Sequence, residues 1–195
     1  MLSGLDLFAL VVVSAFMIGG ALIDFLQLKV PNWLTFPMMV SAWAYTACLS
    51  FLTPVPSGTF LDSIALTAVG FLLLFPFYAV GGMGAGDVKL QMGFGAWIGV
   101  LFGLREGFWI LLYGFCIAGI VGGLMALSMI CWNRTWRANL SNLVTIWSDW
   151  MWSSSFTEVA QRAAERKSQM QLLPYGVPLC IGLLGYLYYF VFQQI

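Results

Sequence analysis

Hydrophobic residues in this chain come in blocks, separated by short polar or glycine- and proline-rich corners. Six blocks, at 7–23, 33–52, 64–80, 88–104, 108–132 and 174–192, reach the length of about 17 to 25 residues that a helix needs to cross a bilayer. The pattern predicts an all-α, polytopic membrane protein with six transmembrane helices, built as one domain over 1–195. The fourth block is the least apolar, because Lys89 and Gln91 lie in its first turn and glycines recur along it. The first block has no Lys or Arg ahead of it and no small-x-small cleavage site leading into a polar mature domain. It therefore reads as a retained helix and not as a signal peptide.

Composition narrows the class. The chain is 61% hydrophobic and 8% charged with a mean hydropathy of +0.91, whereas soluble domains carry about 25% charged residues. Net charge is zero and no basic run is flanked by aromatics, which argues against nucleic acid as a partner and leaves the lipid bilayer. There is no histidine, and Cys48, Cys116, Cys131 and Cys180 show no C-x-x-C spacing. That speaks against a metal site, a disulfide framework or any imidazole-based mechanism, and no cofactor is expected.

Basic residues set the orientation. If the blocks alternate across the membrane, Lys29, Lys89, Arg134, Arg137, Arg162, Arg166 and Lys167 share one side and only Arg105 faces the other. The positive-inside bias makes the first side cytoplasmic and puts both termini outside. The outer corners are short, a Pro/Gly turn at 53–58 and a tighter one at 104–107. The cytoplasmic loop 133–173 is the one large connection. Within it Leu140, Leu143, Val144, Trp147, Trp150 and Met151 follow helical spacing, as in an amphipathic helix lying in the membrane interface. A second short helix at 156–167 carries Arg162, Arg166 and Lys167, suited to anionic headgroups.

The same alternation brings Asp24, at the end of the first block, and Asp87, at the start of the fourth, to the cytoplasmic boundary. Carboxylates at that depth are costly and mark functional sites, and two together can activate water as an acid/base pair. Each also has a plainer explanation. Gly84-Ala85-Gly86-Asp87 could be an ordinary helix N-cap, and Asp24 could be a loop carboxylate paired weakly with Lys29. Asp87 opens a helix, where the dipole favours the ionised form. Beyond it Gln91, Gly95, Gly99 and Gly103 recur every four residues, a packing stripe for close helix contact, and Gly119 and Gly123 form a second small-residue pair.

Three elements occur in order: Asp24 with Lys29-Val30-Pro31-Asn32, then Gly84-x-Gly86-Asp87-x-Lys89, then Pro174-Tyr175-Gly176-x-Pro178. Together, over nearly the whole chain, they resemble the type IV prepilin peptidase family, membrane aspartic proteases of the GxGD type. The tetrapeptide alone is a weak signal; with its upstream and downstream elements it is a strong one. The resemblance implies that Asp24 and Asp87 are the catalytic pair, supported by Pro31, Asn32, Gly84, Gly86, Lys89, Pro174, Tyr175 and Gly176. It further implies a prepilin or pseudopilin precursor as substrate, pilus or secretion assembly proteins as partners, and a bacterial cytoplasmic (inner) membrane location. Bifunctional members carry an N-terminal cytoplasmic domain with paired C-x-x-C motifs and also N-methylate the trimmed pilin. This chain has no such insert and is similar to the short members associated with tight-adherence (Flp-type) pili, so N-methyltransferase activity is not implied.

The expected chemistry is hydrolysis of one leader peptide bond by two carboxylates sharing a proton. Two other classes would use the chain differently. A small transporter would employ the Asp pair for ions, though the two halves show no convincing inverted repeat. A non-enzymatic subunit of a pilus or secretion complex would need neither Asp.

Overall fold

The structure is a computed structural model and describes residues 4–52, 58–79, 81–133 and 173–193. The interfacial helices expected in the loop 133–173 lie outside the described residues. Regular structure among the described residues is all α-helical: α1 Gly4–Gln27, α2 Asn32–Leu52, α3 Phe60–Ala79, α4 Ala85–Asn133 and α5 Gly176–Gln193. Four stretches are long and apolar enough to cross a membrane, namely Asp6–Gln27, Phe60–Ala79, Ala85–Trp132 and Gly176–Gln193. The less apolar α2, which carries Asn32, Thr35, Pro37, Ser41 and Thr46, is not among them.

The third of these stretches has 48 residues, about 72 Å of ideal helix against roughly 30 Å of hydrocarbon. It does not run straight. Gly103 adopts φ 69° and ψ −176°, a conformation open essentially to glycine alone, and the chain reverses there. The limb before Gly103 runs antiparallel to α3: Gly95 backs onto Leu66 and Gly99 onto Ser63. The limb after it runs alongside α3, with Gly107 against Leu66 and the Phe115 ring 6.1 Å from Phe77. The corner expected at 104–107 thus falls at Gly103, and Arg105 and Glu106 belong to the first turn of the second limb.

Local chemistry explains the ends. Thr59 and Asp62 open α3 with reciprocal bonds, Thr59 N to Asp62 Oδ2 at 2.8 Å and Asp62 N to Thr59 Oγ1 at 3.2 Å, a capping box with Asp in place of Glu. At its other end Gly81, with φ 79°, donates to the Tyr78 carbonyl while Gly82 donates to that of Phe77. That is a Schellman closure, which needs a residue that tolerates positive φ. Pro31 starts α2 through its carbonyl, which accepts from Leu34 and Thr35.

With no water to expel between helices in lipid, close packing supplies the cohesion. Along the α3–α4 contact a Cβ on Gly70 would approach the Gln91 carbonyl to 2.8 Å, and one on Gly99 would meet the Ser63 Cα at 2.6 Å. Ser63 Oγ donates to the Ala96 carbonyl at 2.8 Å across this seam. The stripe expected from Gly95 and Gly99 is therefore a true packing face. Gly119 and Gly123 differ, since a Cβ on either would meet nothing within 4 Å among the described residues; the second limb instead meets α5 through Gly114 at Leu183 and Ala118 at Gly182. Trp97, almost fully buried, centres the core and donates its indole N–H to the Met38 carbonyl at 3.0 Å.

Candidate active site

Asp24 sits in the last turn of α1, not in the loop after it, and is 3% exposed. Its main-chain carbonyl accepts from Leu28 N at 2.7 Å, and Leu28 closes the helix with φ 53°. The surface pairing with Lys29 considered from sequence is replaced by an inward-facing carboxylate. Asp87 is the third residue of α4 and is 5% exposed; its Oδ2 accepts from Gly84 N at 3.1 Å. This capping bond locks the turn Gly84–Gly86 to the side chain it presents.

Gly86 joins the two regions. A Cβ there would lie 2.6 Å from the Val30 carbonyl oxygen and 2.9 Å from the Val30 Cβ. The start of α4 is therefore seated directly on the backbone of the corner that follows Asp24. Its φ is not positive; what the site requires of Gly86 is close approach. One turn along, Lys89 Nζ donates to Asn32 Oδ1 at 2.9 Å and stands 4.9 Å from the Phe36 ring centroid. That pins α4 to the first turn of α2.

The third sequence element meets Asp24 directly and lies within electrostatic reach of Asp87. Gly176 N donates to Asp24 Oδ2 at 2.7 Å, and a Cβ on Gly176 would fall 2.9 Å from the Asp24 Cβ. Beside it the Tyr175 phenol is pushed above its ordinary pKa, chiefly by burial and then by the negative charge of Asp87. Tyr175 and Gly176 are adjacent, so the residue whose phenol feels the charge of Asp87 neighbours the one bonded to Asp24. Pro174 is buried and its carbonyl accepts from Val177 N at 3.2 Å, which starts α5 at this point.

Every residue that the sequence motifs singled out is thus at one end of the bundle, where α1 ends and α4 and α5 begin. Two participants were not singled out. Val30 serves as the seat for Gly86, signalled only by its place inside the Lys29–Asn32 element. Leu28 takes a left-handed conformation with no glycine to announce it. Among the described residues no three His, Cys, Asp or Glu side chains gather as metal ligands would. The chemical capacity of the site is two buried carboxylates and a neutral phenol.

Two buried carboxylates thus stand at one end of the bundle, on separate helices long and apolar enough to cross a membrane, and two such groups have the capacity for acid/base chemistry. Residues 11–127 match the type IV leader peptidase family, and the chain belongs to that family. The matched stretch contains Asp24, the Pro31–Asn32 corner and Gly84 to Lys89, and it ends before Pro174. At the level of the family this makes the protein a membrane peptidase of the type IV leader class. No curated protein and no solved structure gives a significant match.

Proposed function

We propose that this protein hydrolyses the leader peptide bond of type IV pilin-like precursors at the cytoplasmic face of the bacterial inner membrane, with Asp24 and Asp87 activating water. The observation that carries the reading is the Tyr175–Gly176 unit, hydrogen-bonded to Asp24 and lying in the field of Asp87. A pair used only for packing would have no need of such a bridge. In this reading α2 and the two limbs of α4 complete six crossings, with both termini outside. Lys29 and Lys89 mark the same end as the carboxylates and Arg105 the opposite one, in keeping with a cytoplasmic site.

Helix polarity divides the roles. Asp87 stands at the positive end of α4 and serves as the base. Asp24 lies between the negative end of α1 and the positive end of α5, and holds the shared proton. Asp87 removes a proton from water as the oxygen attacks the scissile carbonyl, while Asp24 donates a hydrogen bond to the carbonyl oxygen. Collapse of the tetrahedral species breaks the C–N bond, and the proton taken from water passes to the leaving amine. No covalent enzyme intermediate forms. Lys89, Asn32 and Pro31 hold the frame; Gly84 and Gly86 set Asp87, and Pro174 to Gly176 set Asp24.

The test is co-expression with pilin-like precursors followed by N-terminal sequencing of the product. Asp24→Asn and Asp87→Asn should each reduce cleavage by at least about 100-fold, as expected for loss of an acid/base group. The double variant should be no worse than either single one, since the two act as a unit. Cleavage near the wild-type rate in either variant, with the protein inserted, would remove that residue from the mechanism.

A further inference from the structure

Gln91 is buried in the bundle at 0% exposure, and neither its Oε1 nor its Nε2 has a hydrogen-bond partner among the described residues. In a bundle this tightly satisfied that is an exception. On the neighbouring seam Ser63 Oγ bonds the Ala96 carbonyl, Thr67 Oγ1 bonds the Ser63 carbonyl at 2.7 Å, and Trp43 Nε1 reaches Thr67 Oγ1 at 3.4 Å. A buried amide with both ends unmatched is strongly unfavourable unless something small fills its needs.

Two facts say where that filler sits. Gln91 follows Asp87 by four, the spacing that stacks two side chains on one helix face, and helical side chains lean toward the N-terminus. The amide therefore reaches back toward the level of the carboxylate. The helix cannot turn to present the amide elsewhere, because its backbone is gripped by α3: a Cβ on Gly70 would lie 2.8 Å from the Gln91 carbonyl oxygen. Full burial excludes a bulky ligand. The need for a donor and an acceptor at one point is the signature of water, which requires two to four polar partners.

We infer that Gln91 holds an ordered water at the level of Asp87 and is a positioning residue for that carboxylate. The second half of this inference rests on the hydrolytic reading above. A water fixed by both ends of an amide has a set orientation, and a hydrogen bond from it holds Asp87 in the rotamer that faces the attacking water. Other ionisable groups on Asp87's surroundings are accounted for. Tyr175 precedes α5, Asp24 is reached through Gly176, and Lys89 on the same helix is turned to Asn32. Asp62 of α3 and the pair Arg105 and Glu106 lie at the far end of the bundle. Thr35 Oγ1 on α2 is also buried without a partner, but it offers a single hydroxyl and stands on a different helix.

Nuclear magnetic resonance of the full chain, labelled with ¹⁵N-glutamine in detergent, tests the water directly. The Gln91 side-chain signal, identified by its loss in Gln91→Met, should show a cross-peak to a long-lived water. Gln91→Leu gives the same identification should Gln91→Met not fold, and no cross-peak on the wild-type signal overturns the site. For the positioning role, Gln91→Met keeps the length and removes both polar ends. Its kcat for leader cleavage should fall on the order of 10- to 100-fold, as for a displacement of up to about 1 Å, with KM held within about twofold. Thr35→Val should leave kcat unchanged. An unchanged kcat in Gln91→Met, or an equal loss in Thr35→Val, overturns the positioning role. If Asp87→Asn still cleaves, the hydrolytic reading fails and positioning falls with it, while the water cross-peak continues to decide the site alone.

Discussion

Gly176 and Asp24 lie 152 positions apart and share one hydrogen bond, from the Gly176 main-chain N–H to Asp24 Oδ2 at 2.7 Å. The bond needs the glycine. A methyl group on Gly176 would sit 2.9 Å from the Asp24 Cβ and 3.0 Å from Oδ2, so Gly176→Ala must push the carboxylate away from its donor. A displacement near 1 Å costs on the order of 100-fold in rate, and that is the loss expected in a cleavage assay. Gly185→Ala is the control on the same helix. A Cβ on Gly185 would meet nothing within 4 Å among the described residues, so the change should retain activity and stabilise by up to about 1 kcal/mol through helix propensity. Equal activity in the two variants would deny the bond a role.

The glycines of α4 separate in a way that spacing alone does not show. From sequence, Gly86 reads as part of the catalytic turn and Gly95 as a mild packing position. In the structure both touch backbone: Gly86 meets Val30, and Gly95 meets the Leu66 carbonyl on α3. Gly95→Ala should therefore be the more destabilising, since two spanning helices must part, with activity falling only in step with folded protein. Gly86→Ala shifts the turn that carries Asp87 against the corner that follows Asp24, so activity should fall further than stability. Melting temperature and cleavage rate measured on both variants in one detergent will check this. Parallel losses in Gly86→Ala would make its contact with Val30 a packing feature alone.

Tyr175 supplies a pH test with a definite sign. Its phenol is held above its ordinary value of 10.0 by burial first and by Asp87 second, so the folded state favours the neutral form. The resulting stability is complete below the unfolded pKa and is lost as pH rises through the folded one. Melting temperature should drop on the alkaline side as pH rises above about 10, and Tyr175→Phe should flatten that drop while leaving neutral-pH stability nearly unchanged. An identical alkaline limb in the variant would mean that the phenol is not the group responsible.

Much of this site could be read from residues alone because each motif position performs a local task. Gly84 and Asp87 form a cap, Pro31 opens a helix, and Gly176 admits a carboxylate; such tasks restrict residue type and so leave a trace. Asp24 closes the first apolar block, yet the helix runs on through Phe25 and Leu26 to Gln27, so the carboxylate lies within the helix and not in the loop that its plainer explanation supposes. Polarity predicts the reversal within α4 at Arg105 and Glu106. It occurs at Gly103, because backbone conformation and not polarity decides where a helix can break. Gly119 and Gly123 have the spacing of a packing stripe, yet a Cβ there would meet no neighbour within 4 Å among the described residues; spacing reports what a face permits, and only topology says what meets it. The Gly86 contact with Val30 is of the same kind, a long-range event that neither stretch encodes separately.

Leu28 offers the last prediction. It ends α1 with φ 53° and is 45% exposed, so its side chain gains little from burial while its backbone occupies a region that costs an ordinary residue roughly 1 kcal/mol or more. Glycine is the preferred occupant of such a helix terminus. Leu28→Gly should then raise stability by about 1 kcal/mol, less the flexibility that glycine adds to the unfolded chain. Activity should hold, because Asp24 keeps both its place in α1 and its bond from Gly176. Thermal melts and leader-cleavage rates on the same preparation measure the two effects separately. A lower melting temperature would show that the exposed Leu28 side chain contributes more than the strained backbone costs. A higher one with lost activity would show that the left-handed turn itself orients Asp24.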